Sequence, residues 1–444
     1  MDNDEIDRIL EKTIPESMFR RGRTTIDAFL APVRDVLNRR LFPDSPLNDS
    51  QIDLMLKILS SMDTDKDPDA VRVGEREARI FSAYVGSLAA GFNHGVGRSG
   101  QLDAAQPKAV GASIMQQVAN SVALDAIKKL GLSNCRAGLV TPLSTGMSLA
   151  LVLSGLRREL GIKNVLYPRI DHKSPQRGIS FAGLEEVSIP TCLDGDAVGV
   201  DMSVFETALS STTSCAVLAT TTFFPPRISD PVKEIAKSCA EYDIPLVINN
   251  AYGVQSQKIM ALVRSAIDAG RVDAIVQSSD KNFLSPVGAS IVVSPNPDII
   301  EMTSGTYAGR ATAAPIIQTL SALLALGHEN YKNLQAQQEE NISSLREHLQ
   351  EIASSLNQHL LAVENPIACA ITMDNIDVEE LGARLYNERV TGPRAIAKGS
   401  YGSSIDEYPH SYIVMNAAIG ARKIDVEKAT TKLYKEASTL LASP

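Results

Sequence analysis

The chain has 444 residues, of which 44% are apolar and 21% charged, with a formal net charge of −9. That length supports two or three packed units at about 100–200 residues each. The acidic balance excludes a globally basic nucleic-acid binder and leaves such contact to local patches. No apolar run approaches the ~18 residues of a membrane span, so neither a membrane nor DNA is an expected partner. The acidic start MDNDEID does not read as a signal peptide. Five Cys show neither C-x-x-C nor zinc spacing, which points to reduced thiols and a cytoplasmic protein. Six scattered His without H-E-x-x-H give no reason to expect a metal.

Residues 1–65 read as a helical N-terminal extension, with helical apolar spacing in IDAFLAPVRDVLNRRL. Between Arg20 and Arg40 six Arg accompany two Asp, and Arg20, Arg21 and Arg23 lead this local excess of positive charge. Residues 66–110 are polar and glycine-containing, with FSAYVGSLAAGF reading as helix. From residue 112 helices and short apolar strands alternate. SIMQQVANSVALDAIKKLGL is a helix ending at Gly131, AGLVTP a strand, TGMSLALVLSGLRREL a helix and NVLYPRI a strand. EEVSIP, CAVLATTT, PLVINN, VDAIVQSS and ASIVVS follow as strands, with a helix around DPVKEIAKSCAEYDI. Such alternation predicts a mostly parallel sheet covered on both faces, an α/β large domain spanning 66–315 with its active-site segment. After Pro315 a long helical region to about 358 opens a smaller α+β domain, 316–444.

Ligands of open α/β sheets bind beyond the carboxyl ends of strands. AGLVTP is followed by Ser144, Thr145 and Gly146 at a helix start, where free N–H groups favour an anion; simple capping by Ser or Thr is the competing reading. PLVINN ends at Asn249. Lys281 comes thirty-two residues later, just past VDAIVQSS. An anion cup, a polar group at one strand end and a lysine at another form the layout of a pyridoxal phosphate site, in the order of the fold-type-I, aspartate aminotransferase-like enzymes. GVGRSG is formally G-x-G-x-x-G, but no strand precedes it, which excludes a dinucleotide fingerprint. It suits instead a loop approaching an anion, with Arg98 and Ser99 at its crown and Gln106 nearby. Glu75 beside Arg76 reads from the residues alone as a solvated pair.

The strings GEREAR, HGVGRSG, QPKAVGASIM, TGMSLAL, RIDHKS, FFPPR, IPLVINNAYGVQ, SSDKNFLSPVG, YAGRATAAP and VTGPR occur in this order. Together they resemble the archaeal and eukaryotic O-phosphoseryl-tRNA:selenocysteinyl-tRNA synthases over residues 15–430. The resemblance implies a fold-type-I pyridoxal phosphate enzyme with Lys281 as the Schiff-base lysine. The cofactor would be held by Ser144, Thr145, Gly146, His172 and Asn249, with help from Arg76. Arg98, Ser99, Gln106 and Arg310 would hold the substrate phosphate, and Glu75 would repel free amino acids bearing an α-carboxylate. Arg394 in VTGPR becomes a second candidate tRNA contact. Two positions depart from the family: Asp268 stands where the eukaryotic enzyme has an RNA-contacting Arg, and His172 where some relatives have Gln.

The reaction implied is loss of phosphate from O-phosphoseryl-tRNA(Sec) and addition of selenium from selenophosphate, in a homotetramer. Lys281 would take the Cα proton as general base. The residues leave two alternatives. One is another pyridoxal enzyme, such as a cysteine desulfurase, decarboxylase or lyase. The other is an inactive RNA-binding scaffold.

Overall fold

A computed structural model describes residues 3–442; the first and last two residues of the expected N- and C-terminal units lie outside it. The central sheet has seven strands, in the order β1 (Ala137–Thr141), β9 (Ser290–Ser294), β8 (Ala274–Ser278), β7 (Leu246–Asn249), β6 (Cys215–Thr220), β2 (Asn164–Pro168) and β3 (Glu185–Ile189). Strands β6, β7, β8 and β9 are buried at every position, which is why they read as continuous apolar runs without alternation. The sheet is parallel except at β9, which runs against both β8 and β1. Between Ser278 and Ser290 the chain makes only the short helix Ser279–Phe283 and a turn. A parallel return needs a crossover of a dozen or more residues, so this link forces the reversal.

The helix Thr145–Leu160 follows β1 and packs on the sheet beside the helix Pro297–Ser304. It ends at Gly161, which takes a left-handed φ of 66°. The helix expected over FSAYVGSLAAGF is much shorter, Ala83–Ser87. Ala90 and Gly91 turn left-handed at φ 49° and 83° and stop it. A hairpin of β4 (Thr191–Asp194) and β5 (Ala197–Val200), with the helices Met202–Ser211 and Gln257–Ala269, completes this part of the chain. None of these was signalled by the sequence pattern.

The N-terminal helices are not all peripheral. Glu16–Arg39 buries only Val33 and Val36, near its end, whereas Asp49–Ser60 places Ile52, Met55, Leu56 and Leu59 in the main core. The long helical region after Pro315 is two helices joined at Gly327, which adopts φ 60° and ψ 167°. The break admits the 43–47 segment: His328 and Glu329 donate backbone N–H groups to the carbonyls of Pro43 and Asp44 at 2.9 and 3.0 Å. A Cβ on Gly327 would lie 2.8 Å from Pro46 N. Ile316 to Tyr331 stay in the main core, and from Leu345 the side chains enter a second one. That second core lies between the helix Val378–Asn387, the helix Lys423–Ala442 and an antiparallel sheet ordered β10 (Ala368–Thr372), β12 (Tyr412–Asn416), β11 (Arg394–Ile396). No helix among the described residues is long and apolar enough to cross a membrane.

Candidate active site

Five parallel strands end along one edge of the sheet, and each delivers a polar residue at or after its end. β1 leads to Ser144–Gly146, β2 to His172, β6 to Thr222, β7 to Asn249 and β8 to Lys281. Thr145, His172, Thr222, Asn249, Tyr252 and Lys281 line one cavity. A wider hollow continues from it past Ser144, Gly146, Arg177, Arg394 and Tyr401.

The helix start fits an anion better than it fits plain capping. Ser144 occupies the cap position, yet its side chain makes no capping bond. Thr145 Oγ1 is buried without a hydrogen-bond partner. Such an atom costs about 1–3 kcal/mol unless something supplies the missing bond. Gly146 is obligatory for the close approach of the next segment, since a Cβ there would run into Ser174 Oγ. An unpartnered hydroxyl, free N–H groups and the helix dipole thus converge on one point.

Asn249 is 6% exposed at the carboxyl end of β7, and its Oδ1 accepts the Ala251 N–H at 3.3 Å. With the oxygen so engaged, its Nδ2 is the group left to donate into the cavity. Lys281 Nζ lies 4.2 Å from the Tyr252 ring centroid. The lysine therefore does not stand in an open turn: it sits in the helix Ser279–Phe283, half-buried over an aromatic face. Asn282 anchors that turn by donating to the carbonyls of Ala251 and Ser278, both at 2.8 Å. His172 is held below its ordinary pKa by burial first, then by the Lys281 and Arg394 charges, so its ring is neutral at pH 7. These residues fit pyridoxal 5′-phosphate: the cup would take its phosphate, Asn249 would face its ring nitrogen and Lys281 would meet its carbonyl carbon.

Arg394, expected as a tRNA contact, is not on an open face. It stacks over Phe224 and Phe223 at 4.6 and 5.4 Å from the ring centroids, in the wall of the hollow. Burial lowers its pKa. Phe223, Phe224 and Thr222 were not singled out as site residues; their signal was position, directly after β6.

The expected phosphate ligands form a separate group. Gly100 and Gln101, beside the exposed Arg98 and Ser99, share a surface hollow with Leu156, Arg158 and Arg271. Leu156 and Arg158 are near the far end of the helix that Thr145 begins, about 17–20 Å away at 1.5 Å per residue. Arg271 precedes β8, whereas Lys281 follows it. Within one chain, then, Arg98 and Ser99 are not brought to Lys281. Gln106, also outside the cavity, is bound into the loop, its N–H donating to Ser113 Oγ at 2.9 Å. Arg310 donates to the His94 carbonyl, and its Nε is buried without a partner. Its pKa is lowered by burial and then by the charge of Arg76. Asp63 partly offsets the charge of Arg76 there. Arg76 itself is two-thirds exposed and lies 3.5 Å from Glu75, which is 87% exposed. In the single chain these two are the solvated pair that the residues alone suggested.

The basic stretch of Glu16–Arg39 is largely paired. Arg20 bonds Glu16, Arg23 meets Asp7 at 3.0 Å, Arg34 meets Asp27 at 3.2 Å and Arg39 meets Asp35 at 3.5 Å. Arg21 remains exposed and unpaired among the described residues. The local positive excess is thus smaller than the Arg count suggested.

Fold and site together define an α/β enzyme of the fold-type-I, aspartate aminotransferase-like class that uses pyridoxal phosphate. A sphingosine-1-phosphate lyase from Burkholderia pseudomallei shares this architecture at a TM-score of 0.57 and 15% identity, over 97% of this chain and 91% of that one. Much nearer is the crystal structure of an archaeal O-phosphoseryl-tRNA(Sec) selenium transferase, with a TM-score of 0.93 and 44% identity over 96% of this chain and 98% of the other. A family model described as O-phosphoseryl-tRNA(Sec) selenium transferase matches residues 62–438. The enzyme of that name from Methanococcus maripaludis is 44% identical over 436 residues, covering 97% of this chain and 99% of its own. The chain belongs to the O-phosphoseryl-tRNA(Sec) selenium transferase family, and its activity is that selenium transfer. The desulfurase, decarboxylase, lyase and inactive-scaffold alternatives are not favoured.

Proposed function

We propose that the cavity at Lys281 takes the phosphoseryl end of O-phosphoseryl-tRNA(Sec), that selenophosphate is the selenium donor, and that the site is completed by a second copy of the chain. The observation that carries this reading is the convergence of Lys281 and Asn249 on a helix start whose Thr145 hydroxyl has no partner. Pyridoxal phosphate, when bound, supplies a carbonyl for the substrate amine and a conjugated ring that accepts electron density from Cα. Ser144, Thr145 and Gly146 would hold its phosphate, and the Asn249 amide would face its ring nitrogen. A neutral amide in place of a carboxylate would favour a weaker electron sink, suited to elimination. His172, neutral, would contribute to the same cavity wall.

Lys281 Nζ removes the Cα proton, and phosphate leaves from Cβ with the C–O electron pair. Arg98, Ser99, Gln106 and Arg310 of the second copy hold the departing dianion, aided by Arg76. The selenium of selenophosphate then adds at Cβ, the proton returns to Cα, and the Se–P bond breaks as water takes the donor's phosphoryl group, which leaves as a second phosphate. Glu75 rejects free phosphoserine, whose α-carboxylate it repels, while the tRNA ester carries no such charge. Arg394, stacked on two rings at the mouth, meets the acceptor end of the RNA, and Arg20, Arg21 and Arg23 meet its backbone farther out.

A second copy is supported by an apolar arm no single chain covers. Val71 is 89% exposed, Val73 91%, Tyr84 73%, and Phe81 is fully exposed. Such exposed apolar side chains close together in the chain mark an interface, and pairs of such pairs would give the expected homotetramer. The domain division that goes with this function is an N-terminal arm to about residue 65, a cofactor domain, and a C-terminal unit with its own core. The test is selenium transfer from selenophosphate to purified phosphoseryl-tRNA(Sec). Lys281→Ala should stay folded and lose both turnover and visible cofactor absorption; a variant keeping turnover would remove Lys281 from the mechanism.

A further inference from the structure

Away from the cavity, the β4–β5 hairpin touches the small C-terminal sheet, and three potential metal donors meet there. Asp196 lies in the hairpin turn, His359 before β10 and His410 just before β12. One donor atom from each lies within 4.8 Å of the other two. Asp196 Oδ1 is 3.2 Å from His359 Nε2, and the two imidazole rings stand edge to face with centroids 4.9 Å apart.

Two ordinary His–carboxylate hydrogen bonds would explain part of this, and exposed pairs of that kind contribute little to stability. They do not explain the outer arrangement. His410 Nδ1 is 2.6 Å from Asp374 Oδ2, which fixes the proton on Nδ1 and leaves the Nε2 lone pair free. A carboxylate behind a histidine is the support that metal-ligating imidazoles characteristically have. Asp374 is itself oriented, its Oδ1 accepting the Ser411 N–H at 3.1 Å. Asp196 Oδ2 accepts the Ala362 N–H at 2.7 Å, so its other oxygen is turned toward the histidines. The His359 backbone N–H donates to Thr372 Oγ1 at 3.0 Å.

We propose that Asp196, His359 and His410 form a divalent-cation site, with Zn²⁺ or a chemically similar late first-row ion as ligand and Asp374 supporting His410. Two imidazoles and one carboxylate are a familiar donor set for Zn²⁺, leaving a fourth position for water. The side chains are 19%, 46% and 27% exposed, so an ion and its water have access. Donors now up to 4.8 Å apart must draw in to about 3.3 Å, the edge of a tetrahedron with ~2.0 Å bonds. The half-exposed His359 ring has the freedom to do so. The ion would clasp the hairpin to β12, whose neighbour β11 carries Arg394.

The experiment uses tag-free, full-length holoenzyme, stripped with a chelator and held in phosphate-free buffer. Zn²⁺ binding is read by competition with a chromophoric chelator, and Co²⁺ substitution by its visible d–d absorption. About one ion per chain is expected, with His359→Ala and His410→Ala each weakening binding at least ~100-fold and Asp374→Asn ~10–100-fold. Cys192→Ser, removing the exposed thiol, should leave binding unchanged. If a histidine variant fails to fold, X-ray absorption on the wild-type Zn²⁺ protein decides by counting imidazole ligands. Two imidazoles per ion would support the site. Sulfur ligation, or wild-type binding no tighter than in a His359→Ala/His410→Ala double variant, would overturn it.

Discussion

The separation of Lys281 from Arg98 makes a quantitative prediction about mixed assemblies. The two residues are associated with opposite ends of the helix Thr145–Leu160, which at 1.5 Å per residue is about 24 Å long. An Arg side chain spans well under half of that, so one chain cannot serve both roles on one substrate. Lys281→Ala removes the base outright. Arg98→Ala removes one preorganised donor to the leaving phosphate and should cost about 2–4 kcal/mol, roughly 30- to 1000-fold in rate. If a two-fold pair of chains builds two sites, each taking Lys281 from one copy and Arg98 from the other, a one-to-one mixture reassembles usefully. About half of the pairs would then be mixed, and each would hold one intact site of two. Selenium transfer should return to about a quarter of the wild-type rate per chain. The assay is turnover of phosphoseryl-tRNA(Sec) after the two variants are dissociated together and reassembled. Recovery no greater than the sum of the separate variants would refute the shared site.

Arg310→Ala should slow transfer on the same ~30- to 1000-fold scale while keeping cofactor absorption; loss of cofactor with normal turnover on reconstitution would assign Arg310 to the cofactor instead. Glu75→Gln should tighten free phosphoserine about tenfold and leave phosphoseryl-tRNA unchanged, measured from shifts of the cofactor spectrum; equal changes for both would end the filter role. Arg227 and Asp230 form an ion pair 1% and 0% exposed beneath the cavity. Arg227→Met should cost about 3–5 kcal/mol in urea unfolding, and adding Asp230→Asn should restore much of it; an additive loss would show the pair is not the cause. His94, His172 and His328 are all held below the ordinary value with burial as first cause. The unfolded chain takes up protons that the folded one refuses, so stability should fall as pH drops below about 6.5 and level off below the folded values. His94→Gln should flatten the fall in urea midpoint between pH of about 7.5 and 5.5, and an identical slope would exclude it. Burial pushes the Cys135 thiol up to about 12 and Cys239 higher still, while Cys192 is exposed. One thiol per native chain should therefore react quickly with a disulfide reagent, and three or more would contradict the burial.

Much of the large domain was legible in the residues. Buried parallel strands are largely apolar up to their ends, so CAVLAT, LVIN and AIVQS declare themselves, and the rule that sites lie past strand ends pointed to Asn249 and Lys281, which line one cavity with Thr145. That placement needs no knowledge of side-chain contacts, because strand direction alone carries each end to the same edge. Local pattern failed where geometry is set from outside. ALGHEN looks helical, and only the inserted 43–47 segment reveals why Gly327 breaks the helix. The reversal of β9 follows from a link length that the sequence does show, yet its direction becomes visible only when β8 and β1 are seen on either side.

Motif order was enough to reach the family, since strings such as HGVGRSG, TGMSLAL and SSDKNFLSPVG are encoded locally. The tertiary structure decided which of these residues share a cavity. It gathered Lys281, His172 and Arg394, and it set Arg98 near the far end of a helix whose start they face. It also joined Asp196, His359 and His410, which are separated by up to 214 positions and follow no ligand spacing in the chain. Periodicity reports the environment of neighbours in sequence, and a site built from strand ends or a hairpin turn is a relation among segments that sequence separation does not constrain.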